Sequence, residues 1–294
     1  YPPLLPWSDD GPGREPGLPE FAETTLLNDE KYLRWTKTFV AVQKDGNGRM
    51  IHPPVPGGNL DAGQLTGLAA LARDHGLGLR ITPEQGVLIR GAQSEFLEDI
   101  YRRISLSGLD PLSIGGSLVF CPGSSTCPNA FTNCGALCEA VCSRLQSDGR
   151  FFEHPGKMRI KISGCMNGCS QHAIADIGLE GIALRKANGW IPAYRVWLGG
   201  SADQEKVRFG RRIGIIPSRR VPEFLTDIMA YYQRQRTDLE SFGEVLGRVG
   251  QTPFSALVEK YTKTFDAREG ELGWDWGQHQ PYRRMDRGSS SFCG

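Results

Sequence analysis

Cys121-Pro-Gly-Ser-Ser-Thr-Cys127 and Gly164-Cys165-Met-Asn-Gly-Cys169-Ser-Gln-His172 are the two stretches from which the rest of this sequence is read. Each holds a pair of cysteines in a short loop with Gly, and every cysteine of the chain except Cys293 falls between positions 121 and 169. Two such loops, separated by a helix and a strand, can gather four soft thiolates around a cube of iron and sulfide, with loop N–H groups reaching the sulfides. Tetrahedral zinc is a second reading, although C-x5-C and C-x3-C depart from the CxxC knuckles usual at structural zinc. Inert or disulfide-bonded cysteines are a third. Cys134, Cys138 and Cys142 recur at helical spacing on one stripe and read as small buried hydrophobes of a helix that starts at Pro128 and runs to Gln146.

Working outward, Met158, Ile160 and Ile162 alternate with Arg159, Lys161 and Ser163, which predicts a half-buried strand leading into Gly164. Ala175 to Leu184 and Tyr194 to Leu198 read as further strands. Val221 to Arg236 reads as a helix burying Phe224, Leu225, Ile228 and Tyr232, and a shorter helix is predicted from Phe254 to Thr264. Before the cysteines, 31–110 reads as a compact unit of order β-β-α-β-β-α, an antiparallel sheet with helices on one face. Its strands are expected at Thr38–Gln43, Arg49–His52, Leu79–Ile81 and Val87–Ile89. Asp61 is expected to cap one helix, with Leu65, Leu68, Ala69 and Ala72 inward, and Ser94 another, with Leu97, Ile100 and Ile104 inward. The chain divides on this reading into a Pro-rich linker or arm (1–30), the unit 31–110, a mixed α/β unit 111–238 that holds the cysteines, and a helical extension 239–294. The fold class is α+β.

At 294 residues and 39% hydrophobic content the chain can bury a sizeable core. A net charge of +1 argues against a general nucleic-acid binder, despite basic pairs such as Arg102-Arg103, Arg211-Arg212 and Arg219-Arg220. The sequence holds no apolar run of membrane-spanning length. Cysteines crowded into one region rather than scattered fit a reducing compartment, hence a cytoplasmic setting.

The two cysteine stretches, with the continuation Ala173-Ile-Ala-Asp-Ile-Gly-Leu-Glu-Gly181, resemble the signature of the sirohaem-dependent nitrite and sulfite reductases. Leu79-Arg-Ile-Thr-Pro-Glu-Gln-Gly86 and Val55-Pro-Gly-Gly-Asn-Leu-Asp-Ala-Gly-Gln-Leu65 are similar to further segments of that family, so the likeness spans roughly residues 32–250. The resemblance implies a ferredoxin-like antiparallel half-domain followed by a cluster- and sirohaem-binding domain. It implies a [4Fe–4S] cluster on Cys121, Cys127, Cys165 and Cys169, with Cys169 also ligating the sirohaem iron. Sirohaem is rich in carboxylates, so Arg80, Arg159, Lys161, Arg211 and Arg212 become candidates for its cradle, Arg80 and Lys161 foremost. Gln85 and Asn167 are candidate donors to the macrocycle or the sulfides, or plain turn residues. His172 is a candidate proton donor, alongside Lys161, or a loop-fixing residue, and the second role is preferred.

The implied activity is the six-electron reduction of nitrite to ammonia or of sulfite to sulfide, with ferredoxin or a flavoprotein as electron donor and a small oxyanion as substrate. The Cys165–His172 signature lies nearer the nitrite type. Members of the family have two pseudo-symmetric halves and this sequence matches the C-terminal one, so the N-terminal half is an expected partner, in the same polypeptide or as a separate chain. A precorrin-3B synthase-like oxygenase and a non-catalytic iron–sulfur electron-transfer module are the alternative functions.

Overall fold

The computed structural model describes residues 26, 29–109, 118–148, 158–186, 189–203, 207–237, 240–262 and 272–283. The expected arm over 1–30 lies outside these except at Leu26, Asp29 and Glu30, and so does Cys293. Asp29 opens the first element: its side chain accepts from Tyr32 N at 2.9 Å and caps helix α1, Glu30–Phe39. That corrects the strand expected from Thr38. The β-prone run Trp-Thr-Lys-Thr-Phe is drawn into a helix because helical spacing puts Tyr32 and Trp35 together in the core. The strand begins only at Val40.

Strands β1 (Val40–Val42), β2 (Arg49–Ile51), β3 (Gly78–Ile81) and β4 (Val87–Ala92) form an antiparallel sheet of order β1-β2-β4-β3. Between them, α2 (Ala62–Asp74) starts at a capping box in which Asp61 and Gln64 satisfy each other's backbone N–H groups. Its inward residues are Leu68 and Leu71; Leu65 and Ala69 are exposed, which corrects the expected stripe by rotating the helix on the sheet. Helix α3 (Leu97–Leu106) buries Leu97, Ile100 and Ile104 as expected, but Ser94 begins a 3-10 turn and makes no cap bond. Its hydroxyl accepts from Arg49 Nε instead. One core, with Trp35, Ile51, Leu68, Leu71, Ile89 and Ile100 at its centre, joins the three helices to the sheet.

The second sheet has the order β5-β6-β7-β8-β9, formed by Leu118–Phe120, Ile160–Ser163, Ile177–Lys186, Gly189–Leu198 and Arg211–Pro217. β5, β6 and β7 run parallel; β7, β8 and β9 are antiparallel. All four residues of β6 are buried, correcting the half-buried expectation: a central strand between parallel neighbours is covered on both faces. Helix α4 runs Cys134–Asp148, not from Pro128. Residues 127–133 spend their backbone bonds elsewhere, with Phe131 N donating to Gly164 O at 2.7 Å and Ser124 N to Thr132 O at 2.9 Å. Asn133 then starts the helix, its Oδ1 accepting from Ala136 N.

Helices α5 (Val221–Gln235), α6 (Phe242–Val249) and α7 (Thr252–Thr262) complete the described elements. Strand β9 was not expected from the sequence, and helix α6 falls in the region expected only in general terms as a helical extension. The core of this unit runs from Leu118 to Tyr261 without a break, so Phe242, Val245, Phe254 and Val258 pack with β8, β9 and α5 rather than on a separate extension.

The segment 272–283 closes over the start of α4. The buried Asp275 carboxylate accepts from Asn133 N at 2.7 Å, from Ser218 Oγ at 2.9 Å and from Trp276 N at 2.9 Å. Arg219 stacks on Trp276 and donates to the carbonyls of Trp274 and Asp275. Burial raises the Asp275 pKa, and these donors, with Arg219, oppose that. Asp275→Ala strands three buried donors, so urea unfolding should show a loss of roughly 3 kcal/mol.

Candidate metal and cofactor site

Two loops meet at the C-terminal ends of the parallel strands. The first leaves β5 at Cys121 and turns through Gly123 to Asn133; the second leaves β6 at Gly164 and runs to a 3-10 turn at His172–Ile174. Glycines allow the approach. A Cβ on Gly123, whose φ is +66°, would lie 2.4 Å from Cys134 N; on Gly164, 2.9 Å from Thr132 O and 3.0 Å from Gly123 Cα; on Gly181 of β7, 2.4 Å from Thr132 Oγ1 and 2.5 Å from Gly164 O. Three backbones therefore stack at van der Waals contact around Thr132, which sets the first cysteine loop on the second.

Cys121 Sγ accepts from Gly164 N at 3.1 Å and lies 3.9 Å from Cys134 Sγ. The Cys134 contact, with N–H donation from Gly164 and Gly123, outweighs burial and brings the Cys121 thiol down to about 6. Burial raises the Cys165 thiol. The Asn167 N–H opposes that shift, and Cys121, Cys127 and Cys169 reinforce it, so Cys165 feels the charge of all three other candidate ligands. Exposure is graded: Cys121 and Cys165 are buried, Cys127 half-buried and Cys169 exposed. Among the described residues no three His, Cys, Asp or Glu side chains are grouped tightly enough for a single metal ion. A cube has no such need, because each thiolate binds its own iron corner. Soft donors on two loops, one with its thiol pKa lowered and two loop N–H groups turned toward it, fit an iron–sulfur cluster.

Around these cysteines the other expected site residues take different places. Lys161 is buried to 4% exposure, with Nζ donating to Gln171 Oε1 at 3.0 Å. Burial lowers its pKa, and Glu84 of the β3–β4 turn opposes that. Arg159 is held by Asp176 at 3.4 Å and Asp203 at 3.2 Å, so its charge is answered within the protein. Arg80 and Asn167 are exposed, and Arg80 Nη1 donates to Leu79 O. Arg211 and Arg212 are exposed on β9, with Arg212 over the Trp197 ring.

His172 lies behind the loop, not on its open face. Nδ1 is 2.9 Å from Ser163 Oγ, Ser163 Oγ is 2.6 Å from Ser170 Oγ, and Nε2 is 3.8 Å from Glu180. Burial lowers its pKa, with Glu180 opposing. Glu180 in turn accepts from Arg195 and from Trp197 Nε1. These contacts set His172 against Ser163 of β6 and Glu180 of β7. The serine pair and Glu180 escaped the sequence reading; the period-2 pattern of β6, which sets Ser163 beside Lys161 on one face, was the available signal.

Gln85 has a role the sequence did not suggest. It is held at φ 59°, and with Gln171 at φ 61° it is one of two left-handed non-glycine residues among those described. Its side chain closes a pair of bonds with the backbone of Phe120, accepting from Phe120 N at 3.1 Å and donating to Phe120 O at 2.9 Å. Among the described residues β5 is the edge of its sheet, and this amide occupies the side without a paired strand immediately before Cys121. Gln85→Ala should cost roughly 1–3 kcal/mol in chemical denaturation, because it leaves both Phe120 groups unpaired.

Comparison with known proteins gives two family matches. Residues 116–265 match the profile described as nitrite and sulphite reductase 4Fe-4S domain, and residues 41–106 match the nitrite/sulfite reductase ferredoxin-like half domain. The ferredoxin–nitrite reductase of Oryza sativa subsp. japonica is 28% identical over 218 residues, covering 72% of this chain and 36% of the relative. The sulfite reductase [NADPH] hemoprotein beta-component of Myxococcus xanthus is 28% identical over 203 residues, covering 67% and 34%. The chain thus spans about a third of the length of these relatives. The fold is shared with the Mycobacterium tuberculosis NirA protein, at a TM-score of 0.59 and 22% identity over 74% of this chain and 41% of that one. It is shared also with dissimilatory sulfite reductase I, at 0.55 and 14% over 83% and 76%.

Proposed function

Since the chain belongs to the nitrite and sulphite reductase 4Fe-4S family, whose cofactors are a [4Fe–4S] cluster and sirohaem, we propose that it is the cofactor-bearing half of a reductase taking nitrite to ammonia or sulfite to sulfide. The observation that supports this most is the graded exposure of four cysteines, of which Cys165 feels the charge of the other three. Cys121 and Cys165 are sealed in the protein, whereas Cys169 faces outward, where one sulfur can serve two cofactors. Bound there, the cluster supplies electrons singly and the sirohaem iron offers the place at which an oxyanion is reduced.

The chain's own residues hold and orient. Cys121, Cys127, Cys165 and Cys169 are the proposed ligands. Gly164 N–H and Asn167 N–H stabilise thiolates at Cys121 and Cys165. Lys161, kept dry and tied to Gln171, presents a cation beside the loop, and exposed Arg80 is available to a macrocycle carboxylate. Ser163, Ser170, His172 and Glu180 fix the turn that follows Cys169. A ferredoxin or flavoprotein donor and a pseudo-symmetric N-terminal half belong to the same reading, as does a reducing, cytoplasmic setting. No helix among the described residues is long and apolar enough to cross a membrane.

The test is an anaerobic assay of the holoprotein with a chemical reductant and either nitrite or sulfite, measuring ammonia and sulfide. One of the two products is expected. Protein that holds both cofactors yet forms neither product would be an electron-transfer module instead.

A further inference from the structure

Cys134 is fully buried on the first turn of α4, and helical spacing alone would make it packing. Its surroundings say more. Sγ lies 3.9 Å from Cys121 Sγ, 3.9 Å from Tyr194 Oη and 3.9 Å from Thr132 O, and Tyr194 is itself fully buried. We infer that Cys134 is a positioning residue for the cluster: its S–H donates to the Cys121 sulfur, adding a side-chain hydrogen bond to the one from Gly164 N–H. This rests on the reading that Cys121 is a cluster ligand.

The chemistry is directional. A metal-bound thiolate is an acceptor only, so of the two sulfurs Cys134 must be the donor. Tyr194 O–H can donate in turn to Cys134 Sγ, and of the two acceptors left for the Cys134 proton, Thr132 O and Cys121 Sγ, a ligand thiolate at Cys121 carries the charge that draws it. The contact is shielded from water, which makes a weak S–H bond count for more than it would at the surface. A donor to a ligand sulfur draws off negative charge and so favours the reduced, more negative cluster. The sulfur of Cys134 thus makes the cluster easier to reduce without touching iron.

Cys134→Ala, Cys134→Val and Cys134→Ser in the cluster-loaded holoprotein test this, read by potentiometric titration of the cluster's electron paramagnetic resonance signal. Ala and Val remove the donor, Val keeping bulk in the core, while Ser keeps a donor. Ala and Val should lower the reduction equilibrium constant roughly tenfold, about 59 mV for one electron, with Ser staying near the parent. Unchanged potentials in Ala and Val, or a Ser shift as large as theirs, overturn the inference. If neither Ala nor Val holds a cluster, loading of Ser alone supports the donor role and failure of all three overturns it. A parallel Cys121→Ser variant separates the two readings, since a full cluster there would remove Cys121 from the ligand set whatever Cys134 does.

Discussion

Cys169→Ser is expected to abolish the cluster and the bound sirohaem together, while Cys138→Ser keeps both. Serine oxygen is a hard donor with a much higher pKa than a thiol, and it substitutes poorly for thiolate on iron–sulfur corners. The double loss rests on the proposed sharing of Cys169, which is exposed at the site: a sulfur that served two cofactors would take both with it. Cys138 is buried one turn along α4, and its thiol is pushed up by its hydrogen bond with Cys142, then by burial. Serine at Cys138 should lower stability by roughly 1–2 kcal/mol, as a buried hydroxyl does, and leave the visible spectrum intact. The measurements are the absorption spectrum and iron and labile-sulfide analysis. A Cys169→Ser protein with a full cluster and sirohaem would remove Cys169 from its assigned role.

Gly181→Ala should be a strongly damaging single methyl at the site. The added carbon meets Thr132 Oγ1 at 2.4 Å and the Gly164 carbonyl at 2.5 Å, and the latter is backbone in the loop that begins with Cys165. The Gly164 carbonyl cannot step aside easily, because it accepts from Phe131 N, and the Thr132 side chain is fully buried on a backbone whose own carbonyl accepts from Ser124 N. Relief must come from parting the two cysteine loops. The expected cost is roughly 3 kcal/mol, the upper end for overpacking, read as a lower urea midpoint together with reduced cluster occupancy. Gly247→Ala is the control, with nothing within 4 Å of its added Cβ and a helical setting that favours Ala.

The sequence was most legible where chemistry and local backbone agree. The Asp61 cap and the Leu79–Ile89 hairpin need only neighbours along the chain, and each stands where spacing put it. The start of α4 did not, because Pro128 is a sound local signal that long-range bonds override: Phe131 reaches Gly164, and Asp275, far along the chain, holds Asn133. Gln85 was legible as a turn residue and illegible as a clamp, since its partner Phe120 is an edge strand whose lone side no local pattern reveals. Strand β9 hid behind Arg211-Arg212, whose charges are exposed at an outer strand while Ile216 and Pro217 are buried. Cys134 read correctly as buried, but its approach to Cys121 depends on how the helix meets the loop, which spacing does not encode.

Iron, acid-labile sulfide and zinc analysis of the anaerobically purified holoprotein, taken with its visible spectrum, addresses the four-cysteine cluster most directly. The expected result is labile sulfide in equal amount to the iron not accounted for by sirohaem, with zinc absent. Stoichiometric zinc without labile sulfide would contradict it.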